Sequence, residues 1–206
     1  MADKVCRCGW SEEDELLRAY HDDEWGVPQH DDLKLFEHLL MESMSCGLSW
    51  LLMLKKRDVF ARCFDGFDPA LVARYGEADV LRIMGDPEMI HSERKVRAVI
   101  GNAGRFLEMA EKFGSFDRYI WSFTGGKTVV YRSSAVRRLT RSALSEAVSR
   151  DMKKRGFRFV GAVSVFSFLE ACGMINDHVP SCFRREEVAR MNSCVVLDDV
   201  DCELKL

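Results

Sequence analysis

The sequence predicts an all-α fold, and three observations support this class. Apolar residues recur at helical spacing over long stretches, the apolar runs are longer than ordinary strands, and only 4 of the 206 residues are proline. A chain of this length can bury a substantial core in one or two domains. With 47% hydrophobic and 31% charged residues, its composition is that of a soluble globular protein.

Capping and breaking residues divide the chain into elements. Ser11 with the acids that follow it predicts the first helix start, Asp31-Asp32 the second, and Pro69 suits a first helical turn. Ser45-Cys46-Gly47 ends the second helix. We expect helices at about 11–21, 31–44, 48–63, 77–84, 92–113, 116–123, 142–154 and 162–172, with a short helix from 69 and an extended segment at 128–131.

The pattern also predicts the domain organisation. Neither a repeat nor a low-complexity linker interrupts the chain, so residues 1–182 are expected to form one compact, bilobal domain. A helical hairpin at about 142–172 belongs to it. Residues 183–206 are acidic and weakly patterned, and we expect a flexible tail there.

Cysteine usage and hydropathy indicate the compartment. The eight cysteines are irregularly spaced, and several lie inside apolar helical runs. The first residues lack the apolar core of a signal peptide, and no apolar run reaches membrane-spanning length. We therefore expect a reducing, cytoplasmic protein with free thiols and no membrane partner.

Basic residues are concentrated in one segment although the whole chain has a net charge of −3. Residues 127–158 contain ten Lys or Arg against two acidic residues, a local charge of +8. A surface of this kind suits a polyanion. The alternative is an ordinary solvated helix face.

A glycine turn follows this basic segment. Gly156 and Gly161 flank it, and Lys153, Lys154 and Arg155 precede it. Glycine allows a close backbone approach, and the amides that open the next helix can bind a phosphate. The turn thus predicts a helix-hairpin-helix contact with a DNA backbone, although helical hairpins also occur without this role.

Two pairs of metal-ligating residues lie at opposite ends of the chain. His178 and Cys182 are four residues apart, and Cys8 and His21 form the second pair. One zinc bound by both pairs would tie the ends together. Each residue taken singly is also compatible with a role in the core, and Cys6 is a rival ligand.

Glu42 shares a helical face with Leu35 and Leu39. A carboxylate on an apolar face is costly unless it is paired or used in function. It could cap the turn at 47–49, or it could line a pocket for a flat, cationic ligand. Aromatic residues suited to stacking in such a pocket are Trp10, Tyr20, Trp25 and Trp50.

Several short motifs together resemble the bacterial 3-methyladenine DNA glycosylase I family, over about residues 8–182. These motifs are Cys8-Gly-Trp10, Tyr20-His-Asp22, Glu24-Trp-Gly-Val-Pro28, Gly47-Leu-Ser-Trp50, Lys153-Lys-Arg-Gly-Phe157, Phe159-Val-Gly161 and Asn176-Asp-His178. The resemblance implies an all-α helix-hairpin-helix glycosylase fold whose ends are joined by one structural zinc. The implied zinc ligands are Cys8, His21, His178 and Cys182.

The resemblance also implies the activity and the site. Glu42 corresponds to the base-recognising glutamate, Tyr20 and Trp50 to residues that contact and would sandwich the base, and Trp10 and Trp25 to pocket walls. The implied reaction is hydrolytic release of 3-methyladenine (EC 3.2.2.20) from double-stranded alkylated DNA by base flipping. A matching lysine is absent from the sequence, so we expect no strand cleavage. We also expect a monomer with no small-molecule cofactor.

The sequence departs from the family pattern near the pocket. The family usually reads Glu-Gly-x-Gln-Ala-Gly-Leu-Ser-Trp, whereas Glu42 is followed here by Ser43, Met44, Ser45 and Cys46. Some members carry an aromatic residue at the position of Leu17. Three alternatives therefore accompany the main interpretation: a glycosylase of altered base range, a non-catalytic DNA-binding module and a zinc hydrolase.

Overall fold

The computed structural model describes residues 5–132 and 139–197, and it is mostly helical, as predicted. A two-stranded sheet and short 3-10 helices complete it. The helices are α1 Glu15–Asp23, α2 Asp32–Ser45, α3 Trp50–Lys55, α4 Arg57–Cys63, α5 Pro69–Val72, α6 Glu77–Gly85, α7 Glu93–Phe113, α8 Phe116–Trp121, α9 Ala143–Lys154, α10 Ala162–Ala171 and α11 Phe183–Met191. The strands are β1 Thr128–Tyr131 and β2 Cys194–Leu197.

The first helix begins later than predicted. Asp14, not Ser11, is its N-cap, and its side chain accepts a hydrogen bond from the Leu16 amide. Ser11 lies in the 3-10 helix Gly9–Glu12, where its buried hydroxyl donates to the Cys8 carbonyl at 2.8 Å. The hydroxyl that suggested a cap is therefore engaged with the preceding turn.

The second and third helices surround a break at the predicted position. Asp31 caps α2, and the Ser49 hydroxyl caps α3 by accepting from the Leu52 amide. The predicted helix over 48–63 is instead two helices, because the backbone leaves helical geometry at Lys56.

The C-terminal region differs most from expectation. The predicted flexible tail contains α11 and β2, and β2 pairs in parallel with β1 from Thr128–Cys194 to Tyr131–Leu197. The Asn192 side chain donates to the Gly126 carbonyl at 3.1 Å and so places the strand. Residues 183–197 of the region expected to be a flexible tail therefore contain a helix and a strand; residues 198–206 lie outside the described ranges.

Helix α2 is at the centre of the core and carries Glu42. It packs against α7 and α10, and its predicted core residues Leu35, Phe36, Leu39 and Leu40 are at most 2% exposed. Beside it, the Phe106 and Phe116 rings stack at 4.0 Å. Packing on two sides fixes the direction in which the end of α2 points.

Within residues 5–132 and 139–197, none of the helices has both the length and the apolar character needed to cross a bilayer.

Candidate active site

A cavity of about 330 Å³ lies between α1, α2, α3 and α10. It collects the predicted Glu42 and all four predicted aromatic residues in one place. Its walls combine aromatic, acidic, hydroxyl and aliphatic side chains: Trp10, Tyr20, Trp25 and Trp50; Glu13, Glu42 and Glu170; Ser45, Ser49 and Ser167; Leu17, Leu48 and Leu51.

Glu42 is 7% exposed on the last full turn of α2. Burial raises the pKa of its carboxyl to about 8, and a hydrogen bond from Ser45 opposes the rise. The Ser45 hydroxyl lies 3.3 Å from Glu42 Oε2. Since Ser49 caps α3 by itself, the described hydrogen bonds do not support Glu42 as the cap of that turn.

Lys95 holds the end of the helix that presents Glu42. Its ammonium group donates to the Met44 carbonyl at 2.8 Å and to the Cys46 carbonyl at 2.7 Å. Both carbonyls belong to the C-terminal turn of α2, where unpaired acceptors and the helix dipole favour a cation. This contact from α7 was not anticipated from the sequence.

The aromatic residues form adjoining walls. Trp10 meets Trp25 edge-on at 5.1 Å, and the Tyr20 and Trp50 ring centroids are 5.4 Å apart with a 49° tilt. For a base to fit between two rings, the ring planes must be about 7 Å apart, because each of the two van der Waals contacts takes ~3.5 Å. In this structure, which holds no ligand, Tyr20 and Trp50 therefore lie too close together to hold a base between them.

The predicted ligand set forms a compact cluster behind the cavity. The donor atoms of Cys8, His21, His178 and Cys182 all lie within 4.8 Å of one another, and all four residues are buried. Cys182 Sγ is 3.4 Å from His21 Nε2 and 3.5 Å from His178 Nδ1. Cys8 Sγ is 3.6 Å from His178 Nδ1. Cys6 is exposed and is not part of this cluster.

Partners outside the cluster orient the two imidazoles. His21 Nδ1 lies 2.8 Å from Asp22 Oδ1, and Arg7 holds that carboxylate. His178 Nε2 lies 3.2 Å from the Trp25 carbonyl. Each ring thus presents its other nitrogen to the cluster, as metal-binding histidines do. Gly26 is required beside them, since its φ is +82° and a Cβ would lie 2.9 Å from His178 Nε2.

The protonation chemistry of the cluster suits a cation. Burial lowers the pKa of His178 to about 3 and raises the pKa of Cys8 to about 12, the latter with a smaller contribution from Cys182. Neutral imidazoles offer lone pairs, and a bound cation would favour the thiolate forms of the cysteines. The four side chains could therefore hold a metal ion.

The predicted hairpin turn connects α9 to α10. Gly156 has a φ of +91° and ends α9, where its amide donates to the Lys153 carbonyl and the next amide to Met152. Lys153, Lys154 and Gly156 are exposed. Gly161 is the N-cap of α10; no side chain caps this helix, and a Cβ there would meet nothing within 4 Å.

Arg155 is turned away from this surface. Its guanidinium pairs with Asp151 and lies 5.2 Å from the centre of the Tyr119 ring. Of the basic segment, Arg137 and Arg138 lie outside the described residues. The surface at the turn therefore depends on the two lysines more than on the arginine.

A family model described as "Methyladenine glycosylase" matches residues 10–185. That span contains the cavity, the hairpin turn and three of the four cluster residues. The chain belongs to the methyladenine glycosylase family.

Curated relatives agree with this assignment. The chain is 44% identical over 177 residues to DNA-3-methyladenine glycosylase 1 of Escherichia coli, which covers 85% of this chain and 95% of the relative. It is 36% identical to DNA-3-methyladenine glycosylase of Haemophilus influenzae, with 85% and 96% covered.

Solved structures of the family share the fold. A crystal structure of 3-methyladenine DNA glycosylase I superposes with a TM-score of 0.82 at 41% identity, covering 86% of this chain and 98% of that one. The Staphylococcus aureus enzyme, whose structure concerns 3-methyladenine recognition, gives 0.81 at 35% identity, with 87% and 96% covered.

The departures from the family pattern fall into two groups. Leu17 and Ser45 line the cavity. Ser43 faces α7 instead, where it lies 3.4 Å from the Asn102 amide, and Cys46 Sγ lies 3.4 Å from Ser164 Oγ on α10. Two of the four positions thus lie at the pocket wall of this methyladenine glycosylase.

Nothing in the sequence indicated that Glu170 would line the pocket. Glu170 stands in an apolar run, and only the packing of α10 against α2 brings it to the cavity. Burial raises the pKa of Tyr20 well above its usual value, and Glu42 and Glu170 both add to the rise. Both carboxylates are therefore within electrostatic reach of the Tyr20 hydroxyl.

Proposed function

We propose that this glycosylase hydrolyses the N-glycosidic bond of 3-methyladenine in alkylated DNA, the first step of base-excision repair. The observation that carries the proposal is a buried carboxylate, Glu42, at the wall of an aromatic cavity large enough for a purine. The names of the curated relatives support the choice of base.

The reaction needs little acid catalysis. Methylation at N3 makes adenine cationic and a good leaving group, so the enzyme must chiefly extract the base and hold it. Burial keeps Glu42 largely protonated in the empty cavity, and a cationic base favours its carboxylate form, which then accepts hydrogen bonds from the base edge. Trp50 stacks on the ring, Tyr20 forms the adjoining wall, and water captures the sugar.

The hairpin turn holds the DNA backbone. Lys153 and Lys154 neutralise phosphates, and the amides at Gly156 and Gly161 approach the backbone closely. In this arrangement Arg155 supports the hairpin through Asp151 and makes no phosphate contact.

One structural zinc joins the two ends of the domain through Cys8, His21, His178 and Cys182. In a tetrahedral zinc site with bonds of about 2.1 Å to nitrogen and 2.3 Å to sulfur, those atoms lie about 3.6 Å apart. The observed sulfur–nitrogen separations of 3.4 to 3.6 Å are consistent with this geometry. Four protein ligands fill the coordination sphere, which argues against a zinc hydrolase.

The enzyme is proposed to be monofunctional and to act as a cytoplasmic monomer. None of the described cavity-lining residues is lysine, and Lys95, at the C-terminal end of α2, donates to two backbone carbonyls. A Schiff base with the sugar therefore has no candidate amine in the described site. Incubation with DNA carrying an abasic site tests this point, because a lyase would cut the strand.

The deciding experiment is base release from methylated duplex DNA, with the released bases identified by chromatography. Release of 3-methyladenine by wild type and its loss in Glu42→Gln would support the proposal. Binding of the duplex without release of any base would support a non-catalytic DNA-binding module. Because Leu17 and Ser45 lie at the pocket wall, release of a different alkylated base would indicate an altered base range.

A further inference from the structure

Lys95 is a partly buried cation that the mechanism above does not use. It lies on α7 and is not among the described residues that line the cavity. Burial lowers the pKa of its amino group, and its ammonium group donates to the carbonyls of Met44 and Cys46. Both of these partners belong to the turn that ends α2, so an effect of Lys95 on the reaction must pass through that turn.

Ser45 lies between the two carbonyls and contacts Glu42. Its hydroxyl donates to the Glu42 carbonyl at 2.9 Å and lies 3.3 Å from Glu42 Oε2. Its own carbonyl accepts from the Leu48 amide at 2.6 Å. Lys95 therefore holds the carbonyls on both sides of the residue that touches the recognition carboxylate.

The backbone at this turn needs an outside partner because it leaves helical geometry. Cys46 has a φ of −45° and a ψ of 108°, and Gly47 has a φ of +83°. The last carbonyls of a helix lack partners within the helix, and the helix dipole places partial negative charge there. An ammonium group answers both needs, and its two hydrogen bonds restrict how the turn can move.

Lys95 could act on Glu42 through its charge or through the backbone. A close cation would lower the pKa of a carboxyl. The pKa of Glu42 is instead raised by burial, and the hydrogen bond from Ser45 opposes the rise. The contacts of Lys95 with the turn therefore favour the backbone route.

We propose that Lys95 is a positioning residue, which fixes the end of α2 so that the Glu42 carboxylate meets the base. This rests on the proposed function and adds to it a residue that acts on the base only through Glu42. Helix ends fray when their last carbonyls lack partners, and Glu42 stands one helical turn before Cys46.

Lys95→Met keeps the length of the side chain and removes its charge and its donors. Single-turnover release of 3-methyladenine should fall by about tenfold to a hundredfold, because a displacement of ~1 Å at a site group has an effect of this order. Duplex affinity should change by less than about twofold, because the proposed phosphate contacts lie at the turn between α9 and α10.

Two further variants control for the loss of a lysine. Lys95→Arg keeps a cationic donor and should retain most of the rate. Lys112→Met removes an exposed lysine at the other end of α7 and should leave the rate unchanged. Melting temperatures identify any variant that fails to fold.

A double variant separates positioning from a purely structural role. In the Glu42→Gln background, Lys95→Met should slow release by less than about threefold, because the group that it positions has already been altered. Slowing by the same factor in both backgrounds would mean that Lys95 does not act through Glu42. A lower melting temperature with an unchanged rate per folded molecule would mean that Lys95 only caps α2.

Hydrogen exchange separates this proposal from the function it rests on. In Lys95→Met the Leu48 amide, which donates to the Ser45 carbonyl, should exchange about tenfold faster than in wild type. If wild type releases 3-methyladenine but this exchange rate is unchanged, only the role of Lys95 fails. If wild type releases no base, the proposed function fails, and the exchange rate still decides whether Lys95 fixes the turn.

Discussion

The cavity and the cysteine–histidine cluster are built from neighbouring residues but satisfy their polar groups differently. Tyr20 faces the cavity and His21 the cluster, and Trp25 lines the first while packing 4.6 Å from His178 in the second. In the cluster, both imidazoles have outer partners. In the cavity, the described hydrogen bond to the Glu42 carboxylate comes from one serine. The cluster is thus arranged for stability, whereas Glu42 in the cavity retains hydrogen-bonding capacity for a ligand.

The largest effect should come from opening the cluster. Cys182→Ala should lose about one zinc per chain and several kcal/mol of folding free energy, because metal binding contributes directly to folding. Metal analysis and thermal melting measure the two losses. Cys6→Ala is the matched control and should keep both. Zinc retained in Cys182→Ala, or lost in Cys6→Ala, would contradict the assigned ligands.

Glu42→Gln should change the chemistry of the cavity while leaving the cluster intact. Hydrogen bonds to charged groups contribute about 1.5–3 kcal/mol, so single-turnover release of 3-methyladenine should fall by about one to two orders of magnitude. Zinc content and duplex affinity should stay unchanged. Full activity in this variant would mean that Glu42 has only a structural role.

The same variant should alter how stability depends on pH. The folded-state pKa of Glu42, about 8, is above its ordinary value of 4.5, so the folded protein holds this proton more strongly than the unfolded chain. Its contribution to stability is complete below about pH 4.5 and is lost as pH rises towards 8. Glu42→Gln should therefore gain stability relative to wild type as pH rises, by about 1 kcal/mol per unit. If the melting temperatures of wild type and Glu42→Gln differ by the same amount at every pH from about 5 to 8, burial does not perturb the pKa of this carboxyl.

The smallest effect should come from the exposed surface at the turn between α9 and α10, which belongs to neither the cavity nor the cluster. Replacing both Lys153 and Lys154 with Ala should lower affinity for all duplexes alike and reduce the salt slope by about 1–2, since each phosphate contact contributes ~0.9. Arg74→Ala, an exposed change shortly after α5, controls for the loss of one positive charge away from the turn. Arg155→Ala should lower the melting temperature instead, because it breaks the contact with Asp151. An unchanged salt slope in the double variant would mean that the two lysines do not contact DNA phosphates.

Residues with distinctive chemistry at fixed local spacing were predictable from the sequence. His178 and Cys182 are close along the chain, and Glu42 follows the apolar spacing of its own helix, so both could be recognised before the fold was known. Glu170 could not, because an acid inside an apolar run gives no sign of which neighbour it will meet.

Long-range and surface features were the least predictable. The pairing of β1 with β2 joins segments far apart in sequence, and a short apolar strand does not identify its partner. Arg155 counts as one more positive charge in the sequence, whereas the structure shows that Asp151 engages it. In the sequence Ser11 resembled a helix cap. In the structure its hydroxyl instead donates to the Cys8 carbonyl, a partner in the preceding turn that the sequence does not reveal.

The position of the cluster residues along the chain has a consequence for biosynthesis. Cys8 and His21 leave the ribosome early, whereas His178 and Cys182 follow almost the whole domain. During translation the early pair must wait without the second pair of ligands, and Trp25 lacks the His178 ring, one of the rings it packs against. Trp25, a wall of the cavity, therefore reaches its full packing only after His178 has emerged, so a chain terminated before that residue would contain Glu42 but not the fully packed pocket.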